Sequence, residues 1–436
     1  MGPPETKDPP VMAVTEGPDS STGKGLNEKD TTRTADDYAR ERYRLDGLIK
    51  RILRAEAKRT HPHKHAANVY RTVGCTWIRV DDLSLIKPVA RESYHYKGLM
   101  TCGSVHTCPI CASKIQERRR QEVAAAIAHM EASGNACAMV SLTFPHRVDQ
   151  PLSDLLQRQQ LALKKLRESQ AYVRLMGECG AVGRIRSLEV THGKNGWHPH
   201  THELLFLKRG VCPGWLRSRL VVLWFRACSK VGLYRHDRDD EVAFIEHSVD
   251  VQVGDNGAAA YIAKMDDQTK WGLSHEVTKG SSKQGRRAGM HPFKLAAQDS
   301  TSHLFIEYVN AMKGARQLVW SRGLKAQVGI EEKTDEQIAT EQTANVQDQI
   351  PIHSEAWRYV VCNDARFELT HAAKHGGAPA VARFLELLGY THEASKRPNP
   401  KPHHHVAMES GSHRGLHRHQ ESPSMDSQQR SVALPM

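Results

Sequence analysis

RIRSLEVTHGKNGWHPHTHELLFL, residues 184–207, is the stretch on which the reading of the chain turns. Two apolar-rich runs flank Asn195-Gly196, and Asn-Gly between such runs is the strongest short-range signal of a β-hairpin. With Asn195 and Gly196 as the two turn residues, Lys194 pairs with Trp197, Thr191 with His200 and Glu189 with His202. Directly opposed side chains sit about 4.5–5.5 Å apart at Cβ. Side chains alternate along a strand, so Glu189, His200 and His202 share one face of the ribbon. Two imidazoles and a carboxylate on one face are ligands for a divalent metal that keeps open positions for substrate. The plainer alternative is a polar strand edge, or core histidines satisfied by hydrogen bonds, and the residues alone leave both readings open. A similar pattern, HPHKH at residues 61–65, lies among basic residues without a hairpin partner or a facing carboxylate. No specific ligand is expected there.

Working outward, ACAMVSLTF (136–144) reads as a strand, preceded by a helix through Ile115, Val123, Ile127 and Met130. A second helix follows Pro151, carrying Leu152, Leu155, Leu156, Leu163 and Leu166, and a third spans 214–231. SVDVQVG alternates Val249, Val251 and Val253 as a half-buried strand, and GAAAYIAKM after it predicts a helix. Residues 1–36 and 391–436 have the composition of disordered tails. Between them the expected order is a basic helical region with a cysteine module (37–134), the central domain (135–329), a polar linker (330–354) and a small helical module (355–390). Within the first of these, residues 37–59 predict an exposed helix of mixed charge.

The chain has 436 residues, 39% of them hydrophobic, and a net charge of +12 from 61 Lys and Arg against 49 Asp and Glu. Such a balance favours a polyanionic partner, nucleic acid before membrane surface. The N-terminus MGPPETKDPP lacks the apolar core of a signal peptide, and no run of eighteen apolar residues occurs. A cytosolic location is therefore expected, where clustered cysteines bind metal more often than they form disulfides. GKG at 23–25 has neither the following Ser or Thr nor the preceding strand of a P-loop.

LMTCGSVHTCPICASK contributes Cys102, Cys108 and Cys111, the last two as Cys-x-x-Cys. Zinc takes four thiolate or imidazole ligands, so Cys75 is expected as the fourth and His106 as the substitute. Pro109, with Ser113 as cap, suits a knuckle leading into a helix. A redox Cys-x-x-Cys is the competing reading, and no thioredoxin-like strand precedes it. Downstream, Tyr261 and Lys264 stand three residues apart on the expected helix, sharing a face. A phenol with a pKa of about 10 is a poor nucleophile at neutral pH. A metal on the phosphate and a nearby ammonium would ease its attack. Alone, the pair reads equally as a half-exposed structural tyrosine. The basic segment that follows offers Lys279, Lys283, Arg286, Arg287 and Lys294 for phosphate contacts.

Taken together, CGSVHTCPICASKIQERRRQEV, VSLTF, RIRSLEVTHGKNGWHPHTHELLF, AAYIAKM, GMHPFKL and GARQLVWSRGL resemble the rolling-circle replication initiators of plasmids, within the HUH endonucleases. The likeness extends over roughly residues 75–324. It implies an α+β fold, an antiparallel sheet with flanking helices of the ferredoxin/RRM-like kind, joined to a small zinc module. It also implies Mg²⁺ or Mn²⁺ on His200, His202 and Glu189, and Tyr261 as the nicking nucleophile. Thr201 departs from the usual apolar residue between the paired histidines, and His198 is expected to have a supporting role or none. The implied partners are plasmid origin DNA, single-stranded or cruciform at the nick, and a host helicase and polymerase in a bacterial cytoplasm. Dimerisation is left open. Some relatives place a glutamate four residues before the tyrosine for the second cleavage. Gly257 stands there instead, which leaves Asp255, Asp266 or the tyrosine of a second subunit for that step. A relaxase, a transposase and a non-catalytic zinc-containing DNA-binding regulator are the competing readings.

Overall fold

The structure is a computed structural model that describes residues 34–89, 92–254, 289–341 and 345–391. Residues 1–33 and 392–436 of the expected tails lie outside these residues, whereas residues 35 and 36, read as tail, are helical. The segment GAAAYIAKM with Tyr261 and Lys264, and Lys279, Lys283, Arg286 and Arg287, also lie outside. The architecture is α+β, with antiparallel sheets flanked by helices, as expected.

The chain enters through helix α1 (Ala35–Thr60), started by a capping box between Thr34 and Asp37. This helix is not the exposed one that its dense charge suggests. Leu45, Ile49 and Leu53 repeat every four residues and are buried, and so are Asp46 and Lys50 on the same side. The two buried charges pair with each other, and Arg366 Nη1 donates to Asp46 Oδ2 at 2.6 Å. Neutralisation inside the fold, rather than solvent, carries these groups.

Strands β1 (Arg79–Pro88) and β2 (His95–Leu99) precede helix α2 (Pro109–Ala132). After it come β3 (Asn135–Leu142), α3 (Leu152–Glu168), β4 (Gly183–Gly193) and β5 (Gly196–Lys208). Helix α4 (Pro213–Lys230) and β6 (Val249–Val253) follow. Beyond residue 288 lie α5 (Pro292–Ala296), α6 (Ser302–Ala311) and the short β7 (Leu318–Trp320). The central sheet has the order β6-β3-β5-β4-β7, and every pairing in it is antiparallel. Alternation along the strands splits its core. Cys137, Met139, Ile185, Leu204 and Phe206 meet Val123, Ile127 and Met130 of α2. On the other face Ala138, Val140, Leu205 and Leu207 join the core that holds α3 and α4.

The expected polar linker is structured. It contains helix α7 (Asp335–Thr340) and strand β8 (Val346–Pro351), and β8 pairs with β1 to complete a second antiparallel sheet, β2-β1-β8. Helices α8 (Ser354–Cys362) and α9 (Arg366–Leu387) cover this sheet through Trp357, Val360 and Leu369, which pack with Leu83, Leu85 and Ile350. Residues read as separate N- and C-terminal parts therefore share one core.

Candidate metal centres

The turn of the β4–β5 hairpin is one residue earlier than the Asn-Gly signal places it. Gly193 pairs with Gly196 across Lys194-Asn195, so Glu189 faces His200, Thr191 faces His198 and Ser187 faces His202. Gly196 has φ +82° and follows the turn, in the left-handed region that glycine adopts without strain. A Cβ at Gly196 would lie 2.7 Å from Val148 Cα, so the position also demands the absence of a side chain. The partners move by two residues and the parity is kept. Glu189, His200 and His202 consequently stay on one face.

On that face His200 Nε2 and His202 Nε2 each lie 3.2 Å from the same oxygen, Glu189 Oε2. Donors held at about 2.1 Å from one ion are separated by roughly 3.0 Å in an octahedron and 3.4 Å in a tetrahedron. The spacing thus suits a shared divalent ion. His202 Nδ1 is bonded to Ser141 Oγ at 2.8 Å, which turns its Nε2 toward the carboxylate. Although burial works against it, bonding from His200 and His202 holds the Glu189 carboxyl well below the usual carboxylate range. Three donors leave coordination positions open.

His198 is not among the converging donors. Its Nδ1 lies 2.6 Å from His146 Nε2, and burial, aided by the neighbouring imidazoles, pushes it down to about 3. His291, at the start of α5, is pushed down to about 4 by burial, with the charge of Glu189 acting in the opposite direction. Sequence reading passed over Ser141, His146 and His291. The available signals were Ser141, one of two hydroxyl residues in the strand VSLTF, and a histidine in GMHPFKL. Lys294, from the basic segment, lies half-buried in α5.

The second centre is built from Cys75, Cys102, Cys108 and Cys111, all buried and all free thiols. The Sγ separations are 3.5 Å for Cys75–Cys111, 3.6 Å for Cys75–Cys108 and 3.7 Å for Cys102–Cys111. Four sulfurs at about 2.3 Å from one zinc form a tetrahedron with edges of roughly 3.8 Å, so the cluster could hold that ion. The Cys75 and Cys102 thiols are pushed well up by bonding among the crowded sulfurs and by burial. Cys111, which receives those bonds, is pulled well down. A cation at the centre would relieve this competition. His106 is not a ligand; its ring bonds the Tyr308 hydroxyl at 3.2 Å and the Ala315 carbonyl at 3.1 Å. The cap of α2 is Cys108 itself, whose sulfur accepts from the Cys111 amide at 3.4 Å. Ser113, expected as the cap, lies inside the helix and donates to the Ile110 carbonyl.

HPHKH at residues 61–65 forms an exposed turn after α1, and His65 caps the short helix Ala66–Val69. Among the described residues its histidines join no donor cluster.

Sequence comparison adds to this geometry of a His/His/Glu face and a four-cysteine cluster. Residues 97–227 match the replication-protein family Rep_1. This block begins within β2, takes in three of the four clustered cysteines and the whole hairpin, and ends in α4. Over that block, under a third of the chain, the sequence is similar to replication proteins. One relative, "Protein rep" of Streptomyces lividans, is 26% identical over 299 residues, covering 54% of this chain and 65% of that protein. Another, the "Neomycin resistance protein" of Streptomyces cyanogenus, is 29% identical over 135 residues, or 25% of this chain and 31% of that protein. The chain thus spans less than two thirds of the length of either relative. No solved structure matches. No helix among the described residues is long and apolar enough to cross a membrane.

Proposed function

We propose that the chain initiates plasmid replication by nicking one strand of origin DNA. The observation that carries this reading is the convergence of His200 and His202 on Glu189 within a replication-protein domain. These three side chains would hold Mg²⁺ or Mn²⁺, which would supply charge to polarise the scissile phosphate. The phenolic oxygen of Tyr261 attacks phosphorus and the bond to the 3′-oxygen breaks. The 5′-phosphate remains esterified to Tyr261, and the leaving oxygen takes up a proton to become the 3′-hydroxyl that primes synthesis. Lys264 places an ammonium near the charge that develops during attack. One phosphodiester replaces another, so the step needs no nucleotide cofactor. Lys279, Lys283, Arg286, Arg287 and Lys294 contact backbone phosphates and set the register of the strand. The four cysteines would hold zinc, which would tie the segment after α1 to the start of α2. A host helicase and polymerase would extend the 3′ end.

Relaxases and transposases share this chemistry, whereas a non-catalytic DNA-binding regulator does not. The deciding experiment incubates wild-type and Tyr261→Phe protein with end-labelled origin DNA. The wild type is expected to nick and form a covalent adduct in Mg²⁺ or Mn²⁺. The variant should bind the same DNA without either product. Wild-type protein that binds but never nicks with either metal would replace this reading with the regulator.

A further inference from the structure

A third group of donors meets where α1 begins and the first part of α9 ends. Asp36 lies in the first turn of α1, and His371 and His375 lie four residues apart on α9. That spacing puts both imidazoles on one helix face. Their Nε2 atoms stand 3.8 and 3.7 Å from the same oxygen, Asp36 Oδ2. The two rings are 4.3 Å apart at their centroids. One donor atom from each of the three residues lies within 4.8 Å of the others. Directly after His375 the helix is interrupted, because Gly376 and Gly377 leave helical geometry. His375 thus stands in the last turn of a helical segment, with His371 one turn before it, and the partial negative charge of that end favours a cation.

We propose that Asp36, His371 and His375 bind a zinc ion that fastens α9 to α1. Two imidazoles and a carboxylate are a donor set that zinc accepts, and half-buried Asp36 and His371 beside exposed His375 leave room for water in the remaining positions. The position suits a fastening. At the inner end of the same helix pair, Arg366 is bonded to Asp46. Asp36 and Asp46 are separated by about 15 Å along α1 at 1.5 Å per residue, so the ion would hold the outer end. Lys374 is the competitor. Its ammonium contacts both Asp36 oxygens at 2.8 Å, and zinc must displace it into solvent.

The test dialyses the full chain, as purified, against micromolar zinc and measures bound metal per chain. Three proteins are compared: wild type, the double variant His371→Ala/His375→Ala, and Lys374→Met. The double variant should hold about one zinc fewer, consistent with loss of one site. Lys374→Met should retain that zinc at lower free concentrations than the wild type. Cobalt gives a second readout, because the four-cysteine cluster produces intense sulfur charge-transfer bands and this nitrogen–oxygen site does not. The double variant should keep those bands while losing cobalt. Equal metal content in wild type and double variant, or weaker retention in Lys374→Met, would overturn the proposal.

Discussion

The four-cysteine cluster and the His/His/Glu cluster differ in closure. Cys75, Cys102, Cys108 and Cys111 are all buried and supply a full tetrahedral set. Glu189, His200 and His202 supply three donors, and two of them are only half-buried. An ion in the first cluster has no coordination position left for substrate, so its binding energy can only hold chain segments together. An ion in the second keeps positions open, the condition for acting on a bound phosphate. The surroundings follow the same division. Lys50 Nζ donates to the Cys75 carbonyl and pairs with Asp46, which fixes the cysteine loop to α1. Ser141 instead orients a single imidazole of the open site.

The most drastic way to break this contrast is His202→Ala. Nicking of labelled origin DNA should fall to background, while affinity for duplex DNA should hardly change because phosphate contacts dominate it. Near-wild-type nicking by this variant in Mn²⁺ would remove His202 from the catalytic set. Next in size is the closed cluster. A strong chelator should lower the melting temperature, and metal analysis of protein purified without added zinc should find about one zinc at the cysteines. A metal-free preparation that stays stable and active would end the structural-zinc assignment. Asp46→Ala tests the support of that cluster, since it leaves Lys50 and Arg366 buried without their shared carboxylate. A loss of about 3–5 kcal/mol in denaturant unfolding is expected.

Ser141→Ala sharpens the comparison further. Removing a hydrogen bond to a metal-ligating histidine should cost about 10–100-fold in metal affinity or nicking rate, with the fold unaltered. An unchanged metal dependence would show that His202 needs no such support. The smallest effect belongs to His63→Ala, in the other HPHxH copy. Stability should stay within about 0.5 kcal/mol, as for ordinary surface substitutions, and nicking should be unaffected.

The two HPHxH copies show what local sequence can decide. HPHTH has a partner strand only a turn away, so alternation alone placed Glu189 beside His200 and His202. Even the misplaced turn left this intact, because the register moved by two residues and side chains repeat every two. The four cysteines were similarly legible, three of them within ten residues of one another. Tyr261 and Lys264 rest on the helix pattern and the resemblance, outside the described residues.

The second sheet was not legible. VQDQIP reads as polar linker because only Ile350 of β8 is buried. Its partner β1 is exposed over its first residues and then has four consecutive buried ones, so no alternation marks it as a strand. The pairing of Leu85 with Ile350 depends on contacts far apart in the chain. Charge in α1 misled for the same reason. Asp46 and Lys50 look like solvent-facing residues until Arg366, 320 positions beyond Asp46, arrives to complete their pairing. Alternation within a hairpin belongs to the sequence by itself, since a short turn brings its partners together. Burial of a charge, and the strand added from a distant segment, belong to the tertiary structure, because their energies exist only once remote groups are in contact.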